Sequence, residues 1–533
     1  MIDTRRAGVA CVALLFVGAA AAVLSSQGPS GLFDLVITNA RIVDGTGAPA
    51  RVADVGLRDG RIARIGRIAP SEARQRLDAT GLVLAPGFID VHTHADDVAS
   101  KPLAENFIRM GVTSIVAGNC GTSALHIAEA LERIQDMTVA VNVATFIGHN
   151  TVRAAVMGTT SRDPSLPELK RMQVLVFKGM AEGAVGFSTG LQYVPGVYAK
   201  ANEIVELARV AGSEGGIYAT HMRNEGTEVE AAVAESIRVV RRLDMPLQIS
   251  HLKIDSPARW GTSAALLKLI DDARAIGVRV EADQYAYTAG SSSLAIRFPA
   301  SALEGGDERM RARLHDPAAW ATIKAGMQAM LTERGFVDLS WATVASYRAD
   351  PSMNGRTMTQ VAEKMIGDGS ADAQLEAARI LMLNGGASMI YRFMDEDDVT
   401  RIMRHPMVSV ASDAGISDAG DAATHPRGYG NTARVLGEYV RERKILSLEE
   451  AVRKMTSLPA EFFKFEDRGV IREGAIADLV LFNPATVKDE ATYAAPQAFP
   501  TGIPHVLVNG VFVVRDGKTT GARPGQILLR GRR

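Results

Sequence analysis

Between residues 84 and 413 a compact apolar run recurs eight times, at 84–94, 112–120, 139–146, 184–188, 216–221, 246–251, 278–285 and 408–413. Most of these runs follow a stretch with apolar residues at helical spacing, such as 231–243 and 264–276. Short apolar runs alternating with amphipathic helices describe buried parallel strands and their crossovers. Eight such units in succession predict a (β/α)₈ TIM barrel, an α/β fold. A long interruption, 299–396, separates the seventh and eighth runs and carries helical pattern at 320–334 and 358–366. It reads as an ordered insertion that forms a lid or a wall of the substrate pocket.

The chain has 533 residues, enough for a barrel of roughly 250 residues or more plus a smaller unit. The smaller unit is drawn from both ends. Short strand-like segments at 35–37, 41–43, 55–57 and 62–65 carry the turn signals Asp44-Gly45 and Asp59-Gly60. The same pattern returns at 477–482 and 506–514, followed by Asp516-Gly517. The expected organisation is therefore a small β domain from 32–83 plus 465–533, and a barrel over 84–464.

Residues 1–26 read as a signal peptide or an N-terminal anchor. Arg5 and Arg6 precede an uncharged apolar run, 7–24, and small residues at 20–22 and 25–26 offer cleavage sites. The run is short for a membrane span. Export to the periplasm or beyond is expected, with membrane contact only if the segment is retained. A net charge of -1 gives no basic surface for nucleic acid. Of the two cysteines, Cys11 lies inside the apolar leader, so a structural disulfide is not expected and Cys120 needs another explanation.

The strand ends supply that explanation. Polar residues close the runs on the face where barrel enzymes keep their chemistry. The first run ends in His92-Thr93-His94, a spacing that puts two imidazoles on one strand face about 7 Å apart. The second ends in Cys120, the fifth in His221, the sixth in His251 and the eighth in Asp413. Taken singly, a histidine is more often a satisfied core or surface residue, a cysteine a small hydrophobe and an aspartate a helix cap. Together they form a mixture suited to Zn²⁺, because thiolate and imidazole disfavour Mg²⁺ and Ca²⁺. Water beside such an ion is a nucleophile near neutral pH, and a neighbouring carboxylate takes its proton and returns it to a leaving amine. Amide hydrolysis follows from that set.

The motifs at 87–97, 118–123, 183–196, 221–225, 250–253 and 413–430 resemble the amidohydrolase superfamily, specifically its N-acyl-D-amino-acid deacylases (D-aminoacylases). Further matches are Met455-Thr456-Ser457-Leu458-Pro459-Ala460, Arg468-Gly469, Gly474 and Ala477-Asp478. The resemblance implies a barrel fused to a small β-sandwich and the hydrolysis of N-acyl-D-amino acids to a carboxylate and a D-amino acid. It implies one tightly held zinc on Cys120, His221 and His251, and a second, weaker position on His92, His94 and Asp413 with Cys120 shared. Asp413 matches the general base and acid. Lys253 and Arg427 match residues that hold the substrate α-carboxylate, assisted by Tyr287 and a serine among 291–293, for which Ser292 is taken; Tyr193 lines the pocket. No lysine ends the fourth strand, which separates the chain from hydantoinase-type enzymes with their carboxylated lysine. Ala286 stands where the family usually has proline, and 298–300 lacks its Leu-Pro-x-Trp pattern; both bear on acyl and side-chain preference. Two other readings stand beside this one: hydrolysis of a cyclic amide, dipeptide or lactone, and a non-catalytic metal-binding member of the superfamily.

Overall fold

A computed structural model describes residues 32–418 and 425–530. The expected leader, 1–26, lies outside these residues. Eight parallel strands form the barrel: Phe88–Asp90 (β1), Val112–Ala117 (β2), Asn142–Thr145 (β3), Gly186–Gly190 (β4), Ile217–His221 (β5), Leu247–Ile249 (β6), Val280–Gln284 (β7) and Val408–Val410 (β8). Neighbours pair in parallel register from β1 to β3 and from β4 to β8, and Ile147–Gly148 carries the ladder from the β3 side onto β4. The ring closes past the ends of β1 and β8. There Asp413 N donates to His92 O at 2.8 Å and His94 N to Ala414 O at 2.8 Å.

The barrel interior is filled, not hollow. Ile89, Val91, Val116, Ala144, Phe146, Ile217, Ala219 and Ala411 point inward, and Phe463, Phe465 and Leu528 plug the end opposite the histidines. Each is almost wholly removed from water, and burying a side chain of the larger size is worth about 1.5–3 kcal/mol. With the interior filled in this way, the polar side chains of the site gather at the C-terminal strand ends.

The run expected as one strand over 84–94 is divided. Val83–Pro86 belongs to the small domain, where it pairs antiparallel with Leu479–Phe482. Gly87 is the break: a Cβ there would lie 2.3 Å from Thr113 Oγ1, so only glycine lets the chain pass from one sheet to the other. The small domain is one nine-stranded sheet combining strands from 33–86 with strands from 479–519. It curls so that Ile37, Val55 and Ile62 share a core with Leu479, Leu481 and Leu507. Asp59 and Gly60 take the left-handed backbone that a tight hairpin needs. Asp44-Gly45 instead opens the longer connection between strands Phe33–Ile42 and Arg51–Arg58, with Asp44 accepting from Thr46 N.

The insertion starts earlier than 299. Strand Ala289–Ser293 pairs antiparallel with Ser388–Arg392, which in turn pairs with Ala342–Ser346. A serine-rich segment has little strand preference of its own; Met389, Ile390 and Tyr391 across the ladder supply it. Gly306–His315, Pro317–Glu333, Met358–Ile366 and Ala371–Leu383 are the insertion's longest helices.

A buried polar hub joins the small domain to the barrel floor. Asp478 pairs with Arg468 and accepts from Asn142 Nδ2 of β3 at 3.0 Å and from Asn509 N at 2.7 Å. Asn509 Nδ2 returns a bond to Asn142 Oδ1 at 2.9 Å. Removing one member strands the others without water. Asp478→Ala is expected to destabilise the fold by about 3–5 kcal/mol, the cost of leaving a buried charge uncompensated. Urea unfolding checks this; a loss below about 1 kcal/mol, typical of a surface pair, rejects the hub as an anchor.

Candidate metal centre

The residues expected at the strand ends converge. Cys120 Sγ lies 3.4 Å from His92 Nε2, 3.8 Å from His221 Nδ1 and 3.6 Å from His251 Nε2. His221 Nδ1 and His251 Nε2 are 2.8 Å apart. Asp413 Oδ1 lies 3.5 Å from His92 Nε2 and 3.1 Å from His94 Nε2. Three overlapping triads result: His92–His94–Cys120, Cys120–His221–His251 and His92–His251–Asp413. Within each, the ligand atoms lie within 4.8 Å of one another.

The backbone is bent to make this possible. Cys120, His251 and Asp413 all sit at positive φ, 52°, 36° and 53°. A residue with a Cβ is held there at a cost of about 1–3 kcal/mol, and such outliers gather where a site requires them. Each is secured locally. Ser188 Oγ of β4 accepts from Gly121 N at 3.1 Å and donates to Gly118 O at 2.5 Å, clamping both sides of Cys120. Asp283 of β7 accepts from His251 N at 2.7 Å and from Gln248 Nε2 at 2.7 Å. Asp90 of β1 accepts from Ser412 N at 3.1 Å, next to Asp413.

Electrostatics favour the ligating forms of Cys120 and Asp413. Burial pushes the Cys120 thiol up, but the His92, His221 and His251 imidazoles outweigh it and hold it well below its ordinary range. Burial likewise raises the Asp413 carboxyl, and Arg427 with the surrounding histidines overturns that and holds it well below the carboxylate range. For His92 and His94 burial acts downward but is outweighed by Asp283, Cys120 and Asp413, which raise His94 to about 10 and His92 well above the imidazole range. A cation entering the cluster would therefore displace protons from these rings. The centre thus presents a thiolate, four imidazoles and a carboxylate in a space sized for one or two ions. Borderline-soft Zn²⁺ fits that donor set.

The residues expected to bind substrate divide into two groups. Arg427 and Tyr193 are at the centre. Arg427 Nη1 lies 2.7 Å from Asp413 Oδ2, and its guanidinium stacks 4.6 Å above the Tyr285 ring. Tyr193 OH is 3.4 Å from His221 Nδ1, and Ser292 Oγ bonds to Tyr193 OH at 3.4 Å. Lys253 and Tyr287 are engaged elsewhere. Lys253 Nζ donates to Glu225 Oε1 at 2.7 Å and to His251 O at 3.0 Å, facing the back of the ligand cluster. Tyr287 OH donates to Asp489 Oδ2 at 2.7 Å, with the small domain's Asp489 drawing it off the cleft.

A cleft of about 220 Å³ opens on Asp413, bounded by His94, Ser291, Ile416, His425 and Arg427. Three wider hollows, about 690, 520 and 390 Å³, contain none of these groups. His425 ties the insertion to the cleft: its Nε2 donates to Ala289 O at 2.8 Å, and its Nδ1 accepts from Arg427 N at 3.0 Å. Three further residues belong to the site. Glu225 and Asp283 stand behind the histidines, and Tyr285 presents a buried hydroxyl without a hydrogen-bond partner between Lys253 and Arg427. Glu225 and Tyr285 lie inside motifs already singled out, at i+4 from His221 and two residues before Tyr287, but spacing alone gives neither a direction.

Residues 75–514 match the amidohydrolase family, and 17–86 match the N-terminal domain of the urease alpha-subunit. An N-acyl-D-glutamate deacylase of Alcaligenes xylosoxydans xylosoxydans is 39% identical, across 93% of this chain and 96% of that protein. A D-aminoacylase of the same organism is 36% identical, across 95% and 99%. The N-acyl-D-glutamate deacylase of Bordetella bronchiseptica, solved with zinc and a phosphonate inhibitor, superposes with a TM-score of 0.79 at 36% identity, over 94% of this chain and all of that one. Hydantoinases and a dihydropyrimidinase share the fold at 16–17% identity and TM-scores of 0.54–0.57. The family model spans most of the chain and relatives at 36–39% identity span nearly its full length, so this chain belongs to the amidohydrolase family, among its N-acyl-D-amino-acid deacylases.

Proposed function

We propose that the protein hydrolyses the amide bond of N-acyl-D-amino acids, giving a carboxylate and a free D-amino acid, with Asp413 as base and then acid. One observation carries the reading: the two oxygens of Asp413 face different partners. Oδ1 faces the histidine cluster and Oδ2 faces Arg427. A base at that point stands between the ligand set and a buried cation suited to a carboxylate. The D configuration is taken from the relatives, whose names specify it.

Cys120, His221 and His251 would hold the tighter zinc; His92, His94 and Asp413, sharing Cys120, would hold a second. When bound, the ion supplies Lewis acidity, activating water and polarising the acyl carbonyl. The chain's own residues do the rest. Arg427 grips the substrate α-carboxylate, and Tyr285 beneath the guanidinium orients it and shields it from water. Asp413, unprotonated at neutral pH, takes a proton from the attacking water as oxygen bonds to the acyl carbon. It then delivers that proton to the amide nitrogen as the C–N bond breaks, so the amine leaves neutral. Tyr193 and Ser292 border the acyl side, next to His221.

A carboxylate entering the cleft also competes with Asp413 for Arg427. Substrate binding thereby loosens the Arg427–Asp413 pair and frees Oδ2 when the base is needed. Neutral amides lack that lever.

Metal-replete protein is expected to hydrolyse members of a panel of N-acetyl- and N-formyl-D-amino acids, with Asp413→Asn lowering kcat by about 10²–10⁴-fold. A panel left intact rejects the substrate class; full activity in the variant rejects the role of Asp413. Arg427→Met should raise KM for an N-acetyl-D-amino acid roughly 10–100-fold, since hydrogen bonds to charged groups are worth about 1.5–3 kcal/mol. Its effect on the matching uncharged α-amide should be small, and equal losses on both would remove Arg427 from carboxylate binding. We also propose export, from the apolar leader at 7–24. Among the described residues no helix is long and apolar enough to cross a membrane. Cell fractionation with N-terminal sequencing checks this: recovery of full-length protein in the cytoplasm counts against it.

A further inference from the structure

Glu225 follows β5 by four residues and is buried, 3% exposed. Each of its oxygens faces a different histidine: Oε1 lies 2.9 Å from His251 Nδ1, and Oε2 lies 3.6 Å from His221 Nε2. The other nitrogen of each ring, His251 Nε2 and His221 Nδ1, turns to Cys120 Sγ at 3.6 and 3.8 Å. The two rings therefore present opposite nitrogens to the cluster, and a single carboxylate spans the far side of both. Lys253 Nζ holds Oε1 at 2.7 Å and is anchored on His251 O at 3.0 Å.

A neutral imidazole carries one proton. Where one ring nitrogen gives its lone pair to a cation, the other must be N–H and needs an acceptor. For His251 the groups within reach of Nδ1 are Glu225 Oε1 and the Lys253 ammonium, and only the carboxylate accepts. For His221, Nε2 is buried without a hydrogen-bond partner, and Glu225 Oε2 is the carboxylate facing it. We infer that Glu225 is a positioning residue that sets both tautomers, committing His251 to bind metal through Nε2 and His221 through Nδ1, with Lys253 holding the carboxylate in place. This rests on the reading that Cys120, His221 and His251 hold the ion. It also gives Lys253 work at the back of the cluster, apart from the substrate carboxylate.

Glu225→Gln tests it, because the substitution keeps shape and replaces one acceptor oxygen by a donor. The amide oxygen can accept from one ring, but the NH₂ donates and forces the other ring into the wrong tautomer. Since the substitution also removes the charge facing Lys253, Lys253→Met is measured beside it and should cost less zinc affinity than Glu225→Gln. Zinc titration of the metal-free Glu225→Gln variant against a chromophoric chelator should show affinity reduced about 10–100-fold, the range for loss of such a partner. X-ray absorption of the cobalt-loaded variant should count one imidazole fewer. Wild-type affinity and ligand count would overturn the inference. Should the variant not fold, ¹⁵N NMR of the zinc-loaded wild-type chain decides: His251 protonated on Nδ1 and His221 on Nε2 supports it, and either ring reversed overturns it. Neither measurement uses substrate. A chain that binds zinc in this way yet hydrolyses no N-acyl-D-amino acid would sink the proposed activity and leave this inference standing. A Cys120–His221–His251 cluster that takes up no zinc would overturn the inference itself.

Discussion

Two backbone hydrogen bonds set the site: Asp413 N to His92 O and His94 N to Ala414 O. They close the barrel where its first and last strands meet, and they do so through the residues that carry the chemistry. A barrel closes only in a register consistent with the tilt of all its strands. Once closed, His92, His94 and Asp413, separated by more than three hundred residues of chain, have no freedom left relative to one another. The positive φ at Asp413 belongs to the same constraint: the backbone turns sharply after β8 so that its N–H reaches β1 while its side chain faces the histidines.

Closure gathers charge, and the rest of the centre is a response to it. Glu225, Asp283, Asp413 and the Cys120 thiol are all buried within one cluster. Isolated burial of such groups is too costly to persist. Arg427 answers Asp413 from the side of the cleft, Lys253 answers Glu225 from behind, and His92, His221 and His251 answer the thiolate. The arrangement explains why Arg427 faces inward at 4% exposure, although arginine side chains are mostly solvated.

The insertion and the small domain matter to the site through two contacts. His425 links strand Ala289–Ser293 to Arg427, so the insertion's sheet sets one wall of the cleft. Asp489, from the small domain's connection, takes the hydroxyl of Tyr287. The second contact shows how far local resemblance reaches. Tyr285 and Tyr287 are two residues apart, beyond the end of β7, and only the partner offered by a distant segment tells which of them faces the arginine.

The sequence by itself determined the barrel, through eight apolar runs and their helices, and the membership of the strand-end cluster, because strand ends are legible wherever an apolar run stops on a histidine, cysteine or aspartate. Local patterning is enough for both, since hydrophobic period and strand length act within a few residues. Only the tertiary structure decided which polar groups face which. The split of 84–94 at Gly87 depends on the approach of Thr113, and the early start of the insertion depends on Met389–Tyr391. The second carboxylate layer of Glu225 and Asp283, and the turning of Lys253 toward Glu225, depend on which strand ends become neighbours when the ring closes. Those are pairings across tens to hundreds of residues, set by barrel register and by the need to match every buried charge, and no spacing along the chain encodes them.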